Sequence, residues 1–108
     1  MAGSDLYTGS LDLLILKTLS AGAFHGYGIA QHIKRLSREA LKIEEGSLYP
    51  ALERLQRNGW VTSAWKATPT GRFARYYTIT RRGRKQLGEK MSQYDRTTLA
   101  IARVLGRD

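Results

Sequence analysis

The side chains that could do bond-making chemistry are few in this chain, and their spacing argues against catalysis. His25 and His32 stand seven residues apart and could share a helix face, but no third ligand lies near them in the sequence. Two histidines alone make a poor metal site. Gly26-Tyr27-Gly28 lacks the third glycine and the preceding strand that a nucleotide-binding turn needs. Asp5, Asp12, Asp95 and Asp108 are scattered, and no Ser/His/Asp or paired-carboxylate constellation forms. The reading is therefore no enzyme, no cofactor and no metal. What remains is anion binding by hydroxyls and cations. The stretch from Glu44 to Trp60 concentrates it. Leu48, Leu52 and Leu55 recur at helical spacing and can be buried, while Ser47, Pro50, Arg54 and Arg57 occupy the opposite face. Such a helix suits a DNA major groove; taken alone, it is equally an ordinary surface helix with a solvated basic face.

Composition narrows the partner. Of 108 residues, 18 are Lys or Arg and 9 are Asp or Glu, a net charge of +9, with a pI near 10.3. So strong a balance in about one small domain implies a polyanion, nucleic acid before acidic lipid. There is no cysteine, hence no disulfide frame and no thiolate zinc site. No apolar run is long enough to span a bilayer, and the N-terminus lacks the charged region of a secretory signal. A soluble cytoplasmic protein with no membrane partner is the expectation.

The elements that must position this chemistry follow from periodicity. Residues 1–7 read as a loose arm, with Ser10 as an N-cap. Leu11, Leu13, Leu14, Ile15, Leu16 and Leu19 then cover nearly all sides of a first helix, which implies a core on one side and a second subunit on the other. Ile29, Ile33 and Leu36 mark a second helix over about 26–38. The third helix starts either at Ser47 as N-cap, with Pro50 in its first turn, or near Glu44, with Pro50 bending it over Gly46; Asn58-Gly59 ends it. Val61 to Lys66 alternate as a strand, Ala67 to Arg72 carry turn chemistry, and Phe73 to Ile79 form a second strand, making a hairpin with a basic tip. Trp60 reads as core under this hairpin and Trp65 as half-exposed on it. Thr80 caps the last helix, whose first turns hold Arg81, Arg82, Arg84 and Lys85, the wrong sign for the helix dipole and natural for phosphate contact. Leu87, Met91, Tyr94, Thr98, Ile101 and Leu105 are spaced as a heptad seam of about three heptads. The seam is either a dimer interface or the inner stripe of a helix packed on its own domain. The fold class is mainly α with a β-hairpin wing: a winged helix-turn-helix plus a long C-terminal helix.

The order and motifs resemble the PadR family of bacterial transcriptional regulators. The matching residues are His25-Gly26-Tyr27-Gly28-Ile29, Gly46 to Leu55 with its Leu48-Tyr49-Pro50, Gly59, and Arg75 to Arg84. The length resembles the short subfamily with a single C-terminal helix. Glu44-Glu45 stands where the family often has Ser-Pro, and Gln56 where many members have Glu. No tryptophan lies between Arg81 and Asp108, where some short members stack flat drugs; Tyr94 is the aromatic there.

The resemblance implies a homodimer that binds a pseudo-palindromic operator in double-stranded DNA and represses transcription. It divides the chain into a DNA-binding domain over 1–80, with its N-terminal helix, and a dimerisation helix over 81–108. The expected DNA face is Ser47, Tyr49, Pro50 and Arg54, with Thr70, Gly71 and Arg72 at the wing tip and Lys42, Arg75, Arg81 and Arg82 as further phosphate contacts. Arg54 could read guanine or hold phosphate, Tyr49 could instead be packed in the core, and Arg72 could be a solvated tip charge. The expected dimer interface, where a small aromatic effector could bind, takes Leu13, Leu14 and Lys17 with Leu87, Met91, Tyr94, Thr98, Ile101 and Leu105. Two other functions compete: a non-specific basic nucleic-acid-coating protein, whose charge would spread over all sides, and a protein-only adaptor, which a net +9 argues against.

Overall fold

The computed structural model describes residues 2–107, with side chains from Gly9 onward. Met1, Asp108 and the side chain of Asp5 lie outside the described residues. The elements run α1 (Ala2–Leu19), β1 (Phe24–His25), α2 (Gly26–Leu36), α3 (Glu45–Arg57), β2 (Val61–Ala67), β3 (Phe73–Ile79) and α4 (Arg81–Val104). The chain is helical from Ala2 rather than a loose arm, so Ser10 lies inside α1 and does not cap it.

α1 is the hub of the core. Ile15 and Leu16 are fully buried, Leu11 and Leu19 nearly so, and they pack with Ile29 and Ile33 of α2, Leu48, Leu52 and Leu55 of α3, and Val61, Tyr77 and Ile79 of the sheet. The chain's own elements thus cover more of α1 than its length led us to expect. Leu13 and Leu14 are half-buried against the core, and Lys17 is exposed.

The hairpin has the expected shape. β2 and β3 pair antiparallel from Val61↔Ile79 to Ala67↔Phe73. A third strand was not foreseen: β1 pairs with β3 through Phe24↔Tyr77 and His25↔Tyr76, giving the order β1-β3-β2. Two residues are too few to show a period, and their extended form is imposed by the neighbouring strand. A short strand therefore does precede Gly26. His25 ends it and caps α2, its Nδ1 accepting from the Gly28 amide at 2.9 Å. The two histidines do not share a helix face: His32 lies on α2 with its ring 5.3 Å from that of Phe24. Leu36, read as part of the buried face of α2, is 68% exposed, because the helix ends there and the chain turns away through Arg38 and Glu39 at positive φ.

α3 begins at Glu45 with Glu44 as N-cap, so Ser47 is not its cap and Pro50 lies inside the helix. The bond that proline cannot donate would have gone to the Gly46 carbonyl. The end is a Schellman motif: Gly59 takes φ +78°, its amide donates to Gln56 O and the Trp60 amide to Leu55 O, each at 3.0 Å.

α4 starts at Thr80, whose hydroxyl accepts from the Gly83 amide at 3.0 Å and donates to the Gly59 carbonyl at 2.8 Å. Gly83 permits this approach. A Cβ there would run into the Trp60 carbonyl oxygen, so the first turn of α4 rides directly on the chain leaving α3. Leu87 is buried in the core of its own chain, which removes it from the expected dimer seam. Trp60 is half-buried against the core, with Lys90 Nζ 5.4 Å from its ring centre. Trp65 is 64% exposed. No helix among the described residues is long and apolar enough to cross a membrane.

Two stability predictions follow from these contacts. Gly83→Ala is expected to cost about 2 kcal/mol or more by overpacking. Gly88→Ala on the same helix, where a Cβ meets nothing within 4 Å, should stabilise by about 0.5–1 kcal/mol; urea unfolding of both variants checks the contrast. Burial pushes the Tyr77 hydroxyl above its ordinary pKa, partly offset by the charge of Arg75. The folded chain therefore holds that proton longer than the unfolded one. The contribution is complete below about pH 10 and is lost as pH rises through the folded-state value. Tyr77→Phe should reduce the loss of stability between roughly pH 9 and pH 11, measured by urea midpoints at both ends.

Candidate nucleic-acid interface

The buried side of α3 is Leu48, Ala51, Leu52 and Leu55, which forces the other side into solvent. Glu45, Gly46, Ser47, Tyr49, Pro50, Glu53, Gln56 and Arg57 are all exposed. This helix and the wing form two walls. Tyr49, Pro50, Glu53, Gln56 and Arg57 on one side and Arg75 and Tyr77 on the other enclose a groove of about 620 Å³. A second hollow of about 810 Å³ opens beside it, where Tyr49 and Arg75 meet the start of α2 and the wing residues Trp65, Thr70, Arg72 and Phe73.

Several expected residues therefore come together: Tyr49 and Pro50 of α3 with Thr70, Arg72 and Arg75 of the wing. Gly71 shapes the tip at φ +91°, its amide donating to Thr68 O at 2.9 Å. Tyr49 lies between its two readings. It is 44% exposed, yet its ring covers Gly26, where a Cβ would overlap the phenol end. That explains the glycine at the start of α2: the tyrosine rests on bare backbone. Lys42, Ser47 and Arg81 are exposed but line neither hollow.

Arg54 is a correction. Instead of standing outward with Ser47 and Pro50, it turns to α1, where its Nη2 donates to Asp12 Oδ1 at 2.5 Å. Sequence could not show this, because the two residues are 42 apart. Arg75 is also engaged. Its Nε donates to Ser63 Oγ at 2.9 Å, Ser63 Oγ donates to Gln56 Oε1 at 3.0 Å, and the guanidinium sits 6.0 Å from the Trp65 ring centre. This relay ties the wing to α3. The residues missed by sequence reasoning are the exposed aromatics Tyr27, Trp65 and Phe73 around the second hollow. Strand alternation was the available signal. Trp65, Phe73 and Arg75 share the sheet face of buried Val61 and Ile79, but farther out, beyond the reach of the core. Glu53 puts an acid into an otherwise basic face, 3.9 Å from Arg57 and fully in solvent, where such a pair is worth little.

At the other end of the molecule, Met91, Tyr94, Thr98, Ile101 and Leu105 are exposed along α4. Among the described residues no group of three His, Cys, Asp or Glu side chains could hold a metal ion.

Comparison with known proteins matches this arrangement to one group. The family described as transcriptional regulator PadR-like matches residues 15–89. A transcriptional regulator from Clostridium thermocellum is 31% identical and superposes with a TM-score of 0.84, over 92% of this chain and 96% of that one. A PadR-like transcriptional regulator from Bacillus cereus is 27% identical, with a TM-score of 0.79 over 94% and 96%. PadR of Bacillus subtilis, solved in complex with operator DNA, is 26% identical with a TM-score of 0.68 over 76% of this chain and 46% of that longer one. Matched through its core helices, wing and the start of α4, the chain belongs to the PadR-like family of transcriptional regulators.

Proposed function

We propose that this regulator acts in the cytoplasm as a homodimeric, sequence-specific repressor that binds a pseudo-palindromic operator. The observation that carries the reading is the shared surface of α3 and the wing. Tyr49, Pro50 and Arg57 stand beside Thr70, Arg72 and Arg75 around continuous hollows, on a chain of net charge +9. In this reading α3 enters a major groove and the wing tip follows the adjacent backbone or minor groove, with Arg72 at the phosphates. Lys42, Ser47 and Arg81 flank it as further backbone contacts. The Bacillus subtilis relative solved with operator DNA supports the same use of the fold.

The dimer rests on α4. From Met91 to Ile101 every residue of this helix is exposed, so its second half packs on nothing in its own chain. A lone helix of that length is marginal in water. Its apolar residues Met91, Tyr94, Ile101, Val104 and Leu105 are 41–87% exposed. A second copy related by a two-fold axis would cover them and place two α3 helices about 34 Å apart, one turn of DNA. Leu13, Leu14 and Lys17 of α1, with Met91 and Tyr94, would border the interface, where a small aromatic effector could lodge and release the operator.

Two measurements test this. Binding of the purified protein to the DNA upstream of its own coding sequence, against shuffled DNA across a salt series, should show a preference of roughly a thousandfold or more. Equal affinity for both fragments, together with genome-wide occupancy lacking discrete sites, would leave the coating protein as the answer. Sedimentation should show a dimer at micromolar concentration. Ile101→Asp should shift it to monomer while the winged domain stays folded; a dimer unaffected by that change would move the interface elsewhere.

A further inference from the structure

Arg54 is set apart from its neighbours on α3. Ser47 and Arg54 are seven residues apart, two turns along one line of the helix, and Pro50 and Arg57 flank that line. Ser47, Pro50 and Arg57 are exposed, whereas the Arg54 side chain is 37% exposed and its partner Asp12 only 12%. Asp12 is the one buried charged residue among those described. It sits in a helix otherwise filled by leucine and isoleucine, where an apolar side chain would serve stability as well or better. A carboxylate in that place calls for a reason beyond packing. The opposite flank of α3 is held too, by Gln56 through Ser63 to Arg75 of the wing.

We propose that Asp12 is a positioning residue for DNA reading: it withholds Arg54 from the phosphate backbone and uses it as a strut that sets the attitude of α3 against α1. This rests on the DNA-binding function proposed above. A free arginine on this flank would bind any phosphate within reach and add affinity to every sequence alike. Tied to Asp12, it adds no such contact. With one flank strapped to α1 and the other to the wing, α3 presents Tyr49, Pro50 and Arg57 in one register. Specificity then depends on the contacts that discriminate between sequences.

The test uses the full chain, a duplex recovered by selection from random sequence, and a shuffled duplex, each titrated across a salt series. Arg54→Gln should keep the parental salt slope, because Arg54 makes no phosphate contact, while preference for the selected duplex falls by about tenfold, the scale of one mismatched contact. Asp12→Asn should free Arg54, steepening the slope by about 0.9 per protomer and tightening binding to the shuffled duplex. The double variant Asp12→Asn/Arg54→Gln should return the slope to the parental value. A merely structural pair would lower thermal stability and leave all slopes alone. Should Asp12→Asn fail to fold, Arg54→Gln decides by itself, since its amide can still donate to Asp12. A slope flattened by about 0.9 per protomer in Arg54→Gln would make Arg54 an ordinary phosphate contact and overturn the proposal. So would an unchanged slope with unchanged preference. If selection with the parental protein enriches no sequence, the DNA-reading function fails first and the proposal falls with it; an enriched sequence combined with either adverse Arg54→Gln result sinks the proposal alone.

Discussion

Ile15, Leu16 and Leu19 have essentially no contact with water, and the positions of the other elements follow from covering them. Burying side chains of this size is worth about 1.5–3 kcal/mol each. Three of them together rival the net stability of a small domain. α2, α3, the sheet and the first half of α4 each supply part of the cover, through Ile29 and Ile33, through Leu48, Leu52 and Leu55, through Val61 and Ile79, and through Leu87. The sheet is small because it needs only to close one side of this helix. β1 is two residues long for the same reason: it seals the edge of β3 where α2 begins.

α3 is stabilised from outside rather than by its own sequence. It has no side-chain cap at Glu44 and carries Pro50 within it, so its local preference is weak. Its leucine face is buried, its end is closed by the Schellman turn at Gly59, and both flanks are tied, to Asp12 on α1 and through Ser63 to the wing. A helix held in this way can leave its outer face to function. The exposed face is accordingly free of large aliphatic side chains: Tyr49, Pro50, Gln56 and Arg57 stand there.

α4 is two helices in physical terms. The first half is bound to its domain by the Thr80 cap, by Gly83 against the Trp60 carbonyl and by Leu87 in the core. Beyond Lys90 almost nothing in the chain touches it. The molecule is correspondingly long, 52 × 29 × 24 Å, with a radius of gyration of 15.0 Å, against about 13 Å for a compact chain of this length.

Much of this was legible without coordinates. Leucines at helical spacing, the alternation after Gly59, the Thr80 cap and the stop at Asn58-Gly59 report which face of each segment seeks burial, and periodicity is a local property of the chain. The motifs around Leu48-Tyr49-Pro50 and Arg75 to Arg84 added the family. Sequence could not say what each face is buried against. Leu87 fits the seam spacing as well as Met91 does, yet it packs on its own core while Met91 stays outside. β1 has no period to read, the start of α3 was ambiguous, and Trp65 and Phe73 reach beyond the core although they alternate correctly. Arg54 looked like any outward arginine until the fold brought Asp12 to it across 42 residues. Spacing along one helix determines direction; only the packing of distant elements determines the partner.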